Sequence, residues 1–296
     1  MNLLLPIAGA VLAPLLPGTI QSLKARMQGR RGPSPLQPYR ELRRLWRKSR
    51  VVPADSSIVY RVVPPLVAAC GVCAILVLPS GSGGPLGHDV LVLVGLLALA
   101  RFAITLSSWD TGSGFAIMGA ARDLTIAVSV ELLLLLCLVL AALPAGSTDL
   151  NAMAAAASGT AIWFSSAHWC GLAGFSLVAI AETGRQPIDN PDTHLELTMI
   201  HEGPLLEYAG PDLAYLQWAA AARHWIVLAL AATLFLPHPA DPLGAYAVTA
   251  AWMGAVCLGL AFIETMVAKV RLLRIPVLFG VGSAIALIGL VSRAFA

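Results

Sequence analysis

Long apolar runs, separated by shorter polar stretches, dominate the pattern of positions along this chain. A helix needs roughly 20 predominantly apolar residues to cross the hydrocarbon core of a bilayer. Eight runs approach that length: Asn2–Ile20, Val62–Leu78, Val90–Leu106, Leu124–Leu143, Thr160–Ala181, Leu216–Leu236, Ala245–Met266 and Pro276–Phe295. The pattern therefore predicts an all-α, polytopic membrane protein of about eight transmembrane helices.

Composition supports this assignment. The chain is 58% hydrophobic and 12% charged, with a mean hydropathy of +0.79, whereas soluble domains carry about 25% charged residues. Its length suits one helical bundle, so we expect a single integral membrane domain over residues 1–296. No convincing small-residue cleavage site follows the first apolar run, which is therefore expected to be a retained span.

Positive charge alternates between the connecting loops. Loops one, three, five and seven carry sixteen Lys and Arg residues, eleven of them in Gln21–Arg61, whereas loops two, four and six carry none. Basic residues that flank membrane spans stay on the cytoplasmic side. We therefore expect long cytoplasmic loops 1, 3 and 5, with the N- and C-termini outside.

The basic first loop predicts an amphipathic surface helix. Arginines and a lysine recur there at the three-to-four spacing of a helix face, with leucines and a tryptophan between them. The charge has two interpretations, a topology signal attracted to anionic lipid headgroups and a docking surface for a soluble partner. The chain carries no nucleic-acid-binding motif, which argues against a nucleic-acid partner.

The loop after the fifth predicted span concentrates polar chemistry. It holds six of the sixteen carboxylates of the chain, namely Glu182, Asp189, Asp192, Glu196, Glu202 and Glu207. Carboxylates at a membrane edge are costly unless they are solvated, paired or used. The loop is therefore either a protonatable, hydrated surface or a solvated connection with capping acids.

The same loop predicts a short helix from Pro191 to about Glu202, because Asn190 can cap a helix whose first position is a proline. On that helix His194 and His201 share a face, whereas Glu196 lies about 160° away from His201. This arrangement argues against a compact metal site.

Charged residues within the spans need a partner or a cavity, because each costs at least about 2.5–3.5 kcal/mol on insertion. Glu131 lies inside the fourth predicted span, and Arg101 lies inside the third. Glu264, near the cytoplasmic end of the seventh span, is either functional or an interfacial residue paired with Lys269 or Arg271. His168, between two tryptophans, is interpreted as a core histidine.

The five cysteines do not form a cofactor-binding set. Cys70 and Cys73 have the spacing of a redox or metal motif, but they lie inside a predicted membrane helix and lack a second pair. We interpret all five as packing residues, so the sequence offers no ligand set for an iron–sulfur cluster.

Three segments resemble one family. AETGRQPIDNPDTHLELTMIHE (Ala181–Glu202) is similar to the membrane subunit of formate hydrogenlyase-type, group 4 NiFe hydrogenases, of the formate hydrogenlyase subunit 4 or hydrogenase-4 component C type. GPSPLQPYRELRRLWRK (Gly32–Lys48) looks like the first cytoplasmic loop of that family, and WDTGSGFAIMGAARDLTIAVSVE (Trp109–Glu131) like its third loop and fourth helix. The family is related to subunit 1 of respiratory complex I.

The resemblance implies a non-redox-centre subunit of a multisubunit oxidoreductase in the plasma membrane of a prokaryotic cell. Such a subunit anchors a cytoplasmic hydrogenase module through its odd-numbered loops and carries part of a polar channel. It binds no cofactor itself, and the implied partners are the hydrogenase large and small subunits and antiporter-like membrane subunits. The nickel–iron site and the iron–sulfur clusters are expected in those partners.

The resemblance also assigns residue roles, none of them catalytic or metal-binding. The implied proton-relay acids are Glu131, Glu182, Asp189, Glu196, Glu202 and Glu207. The implied partner-docking residues are Arg185, His194, His201, Arg40, Arg43 and Arg44.

Other functions stay open at this point. In the complex I relatives the fifth loop runs close to RTPFDLxExE and helps to form a quinone cavity, whereas this chain has RQPIDNP (Arg185–Pro191). That departure favours the hydrogenase branch over the alternative, a quinone-reactive membrane subunit of a complex I-like NADH dehydrogenase. A non-catalytic anchor, whose acids serve only in docking, is a third hypothesis, and a stand-alone transporter is a weaker fourth.

Overall fold

A computed structural model of the chain describes residues 4–79, 87–189, 199–239 and 242–294. Regular structure within these ranges is helical, with no strand, so the predicted all-α class is confirmed. The α-helices are α1 (Leu4–Leu12), α2 (Leu15–Met27), α3 (Gln37–Trp46), α4 (Ile58–Val77), α5 (Val90–Asp110), α6 (Gly114–Ala142), α7 (Leu150–Ala157), α8 (Ser166–Glu182), α9 (Gly210–Phe235), α10 (Pro242–Met266) and α11 (Ile275–Ala294). Short 3₁₀ turns lie at Thr160–Phe164, Gly203–Leu205 and Leu272–Arg274.

Six helices are individually long and apolar enough to cross a membrane, namely α4, α5, α6, α9, α10 and α11. A seventh crossing is obtained if α1 and α2, which are bent by 42° at their junction, form one broken span. The described part of the chain thus has six or seven candidate spans by length and composition, where the sequence predicted eight.

The first predicted span is broken because of its prolines. Pro14 lies at the junction between α1 and α2. A proline supplies no N–H for a helical hydrogen bond, and its ring clashes with the preceding turn. The expected single helix over Asn2–Ile20 is therefore replaced by two helices at an angle.

The fifth predicted span is shorter than expected. Its first residues form the 3₁₀ turn Thr160–Phe164, and Ser165 is extended, with φ −84° and ψ 124°. Only then does α8 begin, with 17 residues. At 1.5 Å per residue this helix is about 26 Å long, a little under the roughly 30 Å hydrocarbon core.

Short acidic side chains define several helix starts. Asp89 accepts a hydrogen bond from the backbone N–H of Leu91, 2.8 Å away, at the start of α5. Asp149 accepts bonds from the N–H groups of Asn151 and Ala152 at the start of α7. These caps satisfy N–H groups that have no partner inside the helix, and they account for the acids in two loops without basic residues.

The helices pack around a central apolar core. Within the bundle, α4 packs against α5 and α9, α8 packs against α6 and α11, and α10 packs against α2. Leu133, Phe175, Phe235 and Phe279 are almost fully buried where these helices meet. Such side chains each contribute about 1.5–3 kcal/mol when buried. The core holds the helices that carry the charged residues described below.

The predicted helix from Pro191 to Glu202 is wrong in its last turn. Residues 199–202 are not helical, and residues 190–198 lie outside the described ranges. The backbone N–H groups of Ile200 and His201 donate to the Asp189 carboxylate, at 3.2 and 3.1 Å, instead of to helical carbonyls. Because His201 is not on a helix, the predicted shared face with His194 does not follow.

Candidate functional site

A buried carboxylate joins three helices near loop five. Glu182, the last residue of α8, accepts a hydrogen bond from Arg101 of α5 at 2.8 Å. Its other oxygen accepts one from Arg223 of α9 at 2.9 Å. The side chain of Glu182 is 3% exposed, and those of Arg101 and Arg223 are 7% and 15% exposed. Charges this far from water are tolerated only when they are paired and hydrogen-bonded.

Arg101 also connects two acids of α6. Its Nη1 lies 3.4 Å from Oε1 of Glu131, and its Nε lies 3.9 Å from Oδ2 of Asp123. Asp123 and Glu131 are eight positions apart, which corresponds to about 12 Å along a helix. The guanidinium thus links two carboxylates of α6 that lie about two turns apart along the helix.

Asp189 organises the loop after α8. Besides the two backbone donors, its Oδ1 lies 3.0 Å from the Nζ atom of Lys269, and its Oδ2 lies 3.3 Å from Nδ1 of His201. Burial opposes ionisation of this carboxyl, but the hydrogen bonds and charge of His201 and Lys269 hold its pKa well below the ordinary value. Asp189 is therefore a carboxylate at neutral pH.

His201, in loop five, lies between Asp189 of the same loop and the acids of α6. Its Nδ1 faces Asp189, and its Nε2 lies 3.9 Å from Oδ1 of Asp123. Burial favours the neutral ring, yet the hydrogen bond with Asp189 and the charges of Asp123 and Asp189 raise the pKa of His201 above its ordinary value. One imidazole therefore bridges two carboxylates that belong to different elements.

Two contacts hold the turn after His201 in place, one with α6 and one with α5. Gly203 lies directly against Gly119, where a Cβ added at position 119 would be 2.6 Å from the Gly203 carbonyl carbon. The hydroxyl of Ser108 donates to the carbonyl of Pro204 at 3.0 Å. Because Gly119 is one helical turn before Asp123, this contact sets the distance between His201 and Asp123.

Glu264 forms a second buried group of charges. Its two oxygens lie 3.1 Å from Nζ of Lys24 and 3.4 Å from Nη1 of Arg185, and its side chain is fully buried. The expected pairing of Glu264 with Lys269 or Arg271 is thus replaced by a pairing with α2 and loop five. Lys269 instead contacts Asp189, and the N–H of Val270 donates to the Pro187 carbonyl at 2.8 Å. Loop seven is consequently joined to loop five.

A cavity of about 600 Å³ adjoins these charges. Its polar end is lined by Arg101, Asp123, Glu182, Asp189, His201 and Arg223. Its apolar walls include Pro14, Leu42, Val67, Leu96, Ile104 and Leu216, from α2, α3, α4, α5 and α9 and their junctions. Volumes of 300–1,000 Å³ with mainly apolar walls and few polar groups are typical of ligand pockets.

The structure brings some of the predicted site residues together and separates others. Glu131, Glu182, Asp189 and His201 belong to the charges connected through Arg101 and His201, whereas Arg185 belongs to the second group, around Glu264. Glu202 is exposed, and Glu207 is half-buried, its backbone carbonyl accepting a hydrogen bond from Tyr60. Arg40, Arg43 and Arg44 are exposed on α3, where Arg44 pairs with Glu41. Glu196 and His194 lie outside the described residues.

Sequence reasoning missed Arg223 and Lys24 as members of the site. Arg223 is a lone charge inside the sixth predicted apolar run, so the cost argument applied to Arg101 would have identified it. Lys24 offered no such signal, because it is one of eleven basic residues in the first loop, and the part of that loop around it is helical.

Metal ligands are not assembled in the described ranges, which contain no group of three or more His, Cys, Asp and Glu side chains able to hold an ion. The cysteines are free thiols, and Cys70, Cys137 and Cys257 are buried between helices. The described charges include carboxylates and a histidine, which are groups that can bind protons.

The family model for NADH dehydrogenase matches residues 1–292 of the chain. Hydrogenase-4 component C of Escherichia coli (strain K12) is 37% identical over 238 residues, which cover 77% of this chain and 72% of the relative. Formate hydrogenlyase subunit 4 of the same strain is 33% identical over 244 residues, which cover 80% and 78%. NADH-quinone oxidoreductase subunit 8 of Rhodothermus marinus is 28% identical over 244 residues, which cover 79% and 70%.

A solved structure shares the fold. It is a chain of the membrane-bound sulfane sulfur reductase (MBS), an archaeal respiratory membrane complex, with a TM-score of 0.83 and 21% sequence identity. The superposition covers 97% of this chain and 96% of that one. At this identity the match establishes the arrangement of helices.

Proposed function

The chain belongs to the NADH dehydrogenase family of membrane subunits, that of complex I subunit 1, and we propose that it serves a formate hydrogenlyase-like NiFe hydrogenase complex. In that complex it anchors the cytoplasmic hydrogenase module and relays protons between loop five and the membrane interior. The higher identity to the two hydrogenase-type relatives than to the NADH-quinone relative supports this branch.

The observation that carries the relay is a continuous series of charged side chains. It begins at Lys269 and Asp189, passes His201 and Asp123, reaches Arg101 and ends at Glu131 inside α6. Successive charged atoms lie 3.0–3.9 Å apart. Arg101, Asp123 and Asp189 in this series are buried. Buried charges are costly to maintain, and titratable groups held in such an environment are typical of functional sites.

Docking is assigned to the loops that the charge pattern places in the cytoplasm. The exposed arginines of α3 (Arg40, Arg43 and Arg44) form the proposed basic surface, and His194 stays a predicted docking residue of loop five. Arg185 is buried against Glu264, and the ring nitrogens of His201 face Asp189 and Asp123, so neither side chain directs its polar atoms towards a partner. The proposed occupants are the hydrogenase large and small subunits, with antiporter-like subunits beside the chain in the bilayer. Those partners carry the nickel–iron site and the iron–sulfur clusters, so electrons do not pass through this chain.

The proposed topology retains eight crossings in one membrane domain over residues 1–296. In it α1 and α2 form one broken span, and the 17-residue α8 crosses with the preceding 3₁₀ turn. The sixteen basic residues of the odd loops then all face the cytoplasm, with both termini outside. The membrane is the plasma membrane of a prokaryotic cell.

Coupling follows from electrostatics. An electron that arrives on a partner cluster near loop five adds negative charge there, and nearby negative charge raises the proton affinity of carboxylates and histidines. A proton taken up by the loop then moves through His201 and Asp123 towards Glu131. Arg101 positions the Asp123 and Glu131 carboxylates and keeps its own proton. Four further acids are assigned to this relay, either as members or as entry points for protons: Glu182, Glu196, Glu202 and Glu207.

The cavity of about 600 Å³ favours a second candidate function, quinone reaction in a complex I-like NADH dehydrogenase. Its apolar walls suit an isoprenoid tail, and its polar end offers hydrogen-bond donors at Arg101 and Arg223. Under this alternative, membranes that contain the chain transfer electrons to quinone, and an inhibitor of quinone sites blocks that transfer.

Co-purification in a mild detergent tests the proposed function. We expect an affinity-tagged chain to bring down a large subunit that has the nickel-binding cysteine pairs, together with nickel in a stoichiometric amount. A co-purified large subunit without those cysteine pairs, in a preparation with quinone-dependent electron transfer, overturns the proposal in favour of the quinone-reactive subunit.

A further inference from the structure

His201 was expected to be a docking residue, but its surroundings differ from those of a surface contact. Its two ring nitrogens face carboxylates on two separate elements, Asp189 in loop five and Asp123 in α6. A docking residue would instead direct its polar atoms outwards to the partner. The ring is therefore placed to act inside this chain.

The ring is also held in a fixed position. Its backbone N–H donates to Asp189 at 3.1 Å, so the same carboxylate binds both the backbone and the side chain of His201. Gly184 lies under the ring, with φ +60°, and a Cβ there would be 3.3 Å from Nδ1. A side chain at position 184 would be strained and would also crowd the ring.

Alternative proton carriers between the loop and α6 are few among the described residues. Lys269 lies on the loop side of Asp189, and Arg101, beyond Asp123, does not release its proton in proteins. Between them, the imidazole of His201 is the group whose ordinary pKa lies near neutrality. It occupies the gap between the loop carboxylate and the first membrane carboxylate.

We propose that His201 is a proton-shuttling residue that takes up protons from the loop side and releases them from Nε2 to Asp123. This inference rests on the proposed function, because it names the group through which protons enter the membrane-spanning series.

The step balances without electron transfer. The imidazolium, whose Nδ1–H is held by the Asp189 carboxylate, loses its Nε2 proton to the Asp123 carboxylate and is left neutral, with its proton on Nδ1. A proton carried by water from the loop side then binds Nε2 and restores the imidazolium. The distance of 3.9 Å to Asp123 exceeds a hydrogen bond, so the transfer needs a movement of the side chains or one bridging water.

Charged groups around the ring set its working range. The groups that act on it are Asp189 of loop five, Asp123 of α6, Arg101 of α5, Glu182 of α8 and His224 of α9. Two carboxylates lie at its nitrogens and stabilise the imidazolium, while Arg101 opposes it. The His201 ring can thus exist both as the imidazolium and as the neutral imidazole.

The test uses the intact complex in sealed vesicles and measures protons translocated per electron transferred. We expect His201→Ala to assemble normally and to lower proton translocation by roughly 10²-fold, the usual size of an acid–base contribution. Added imidazole should restore part of the translocation in His201→Ala. His238→Ala, which removes a histidine that contacts the Leu236 carbonyl, is the matched control and should behave as wild type.

The outcomes separate this inference from the proposed function. If His201→Ala translocates protons at the wild-type ratio while Glu131→Gln does not, the shuttle is wrong and the relay through Glu131 stands. If His201→Ala detaches the soluble subunits, or its defect is not relieved by imidazole, His201 is a docking or structural residue and the shuttle is also wrong. If both His201→Ala and Glu131→Gln translocate normally, the proposed relay function fails as well.

Discussion

Arg101 donates a hydrogen bond to Glu182 at 2.8 Å across the interface between α5 and α8, with both side chains nearly inaccessible. The pair is completed by Arg223, which donates to the second carboxylate oxygen. The carboxylate of Glu182 thus neutralises part of the positive charge of two buried guanidinium groups. Asp123 and Glu131 neutralise the rest of that charge.

Replacement of Glu182 by Gln should therefore destabilise the protein strongly. The amide cannot neutralise either arginine, and loss of one member of a buried ion pair costs about 3–5 kcal/mol. Denaturant unfolding of the purified chain in detergent measures the change. The double variant Glu182→Gln, Arg223→Gln should recover part of the loss, because it removes one of the unpaired cations. An unfolding free energy of Glu182→Gln within about 1 kcal/mol of wild type would contradict the assigned pairing.

The contact between Gly119 and Gly203 should be intolerant of a methyl group. A Cβ at position 119 would be 2.6 Å from backbone of the opposite segment, so Gly119→Ala must displace the turn that follows His201. We expect a reduced ratio of protons to electrons in the assembled complex. Gly95→Ala is the matched control, since a Cβ there meets nothing within 4 Å, and it should be neutral or stabilise α5 by about 0.5–1 kcal/mol. Equal behaviour of the two variants would show that the close approach is not needed.

Stability should depend on pH through the Asp189–His201 pair. The raised pKa of His201 contributes stability that is complete below its unfolded pKa of about 6.5 and is lost as pH rises through the folded value. The lowered pKa of Asp189 contributes stability that is present above its unfolded pKa of about 3.9 and is lost as pH falls through the folded value. The pair should therefore stabilise the chain most between about pH 4 and 6.5.

The measurement is the unfolding midpoint of wild type and His201→Gln from about pH 3 to 9, a range that spans both ordinary pKa values. The difference in unfolding midpoint between the two proteins should be largest at slightly acidic pH and should shrink as the solution becomes alkaline. A difference that grows as pH rises would mean that the histidine is not stabilised as the imidazolium.

The membrane class and most helices were predictable from sequence, because apolar length and the position of basic residues act through the bilayer alone. The broken first span shows the limit of prediction from apolar length and basic residues. Pro14 lies in an otherwise continuous apolar run, and whether a proline bends a helix or ends it depends on what packs around it.

The site was predictable in part for a similar reason. Glu131 and Arg101 each indicated the need for a partner, because a lone charge in a span is costly. The pairing of Glu182 with Arg223 joins residues far apart in the chain, as does that of Glu264 with Lys24. Both pairings follow from helix packing, which no local pattern contains.

Loop five illustrates a different limit. Asn190-Pro191 indicates a helix start by local rules, yet the last turn of the predicted helix is absent. Asp189, eleven positions before Ile200, takes the backbone N–H groups of Ile200 and His201. Such competition between a side chain and a helix for the same donors depends on a loop closure that a local pattern does not contain.

A proton relay that ends at Glu131 sets the ratio of protons translocated to electrons transferred, and this ratio is the decisive measurement. The preparation is the complete complex in sealed vesicles, with Glu131→Gln and Glu202→Gln compared with wild type and with Asp55→Asn, an exposed acid of the first loop. We expect Glu131→Gln and Glu202→Gln to retain the assembled subunits but to translocate fewer protons per electron, with the loss complete or nearly so for Glu131→Gln, while Asp55→Asn matches wild type. Wild-type ratios and turnover in both Glu131→Gln and Glu202→Gln would contradict the relay.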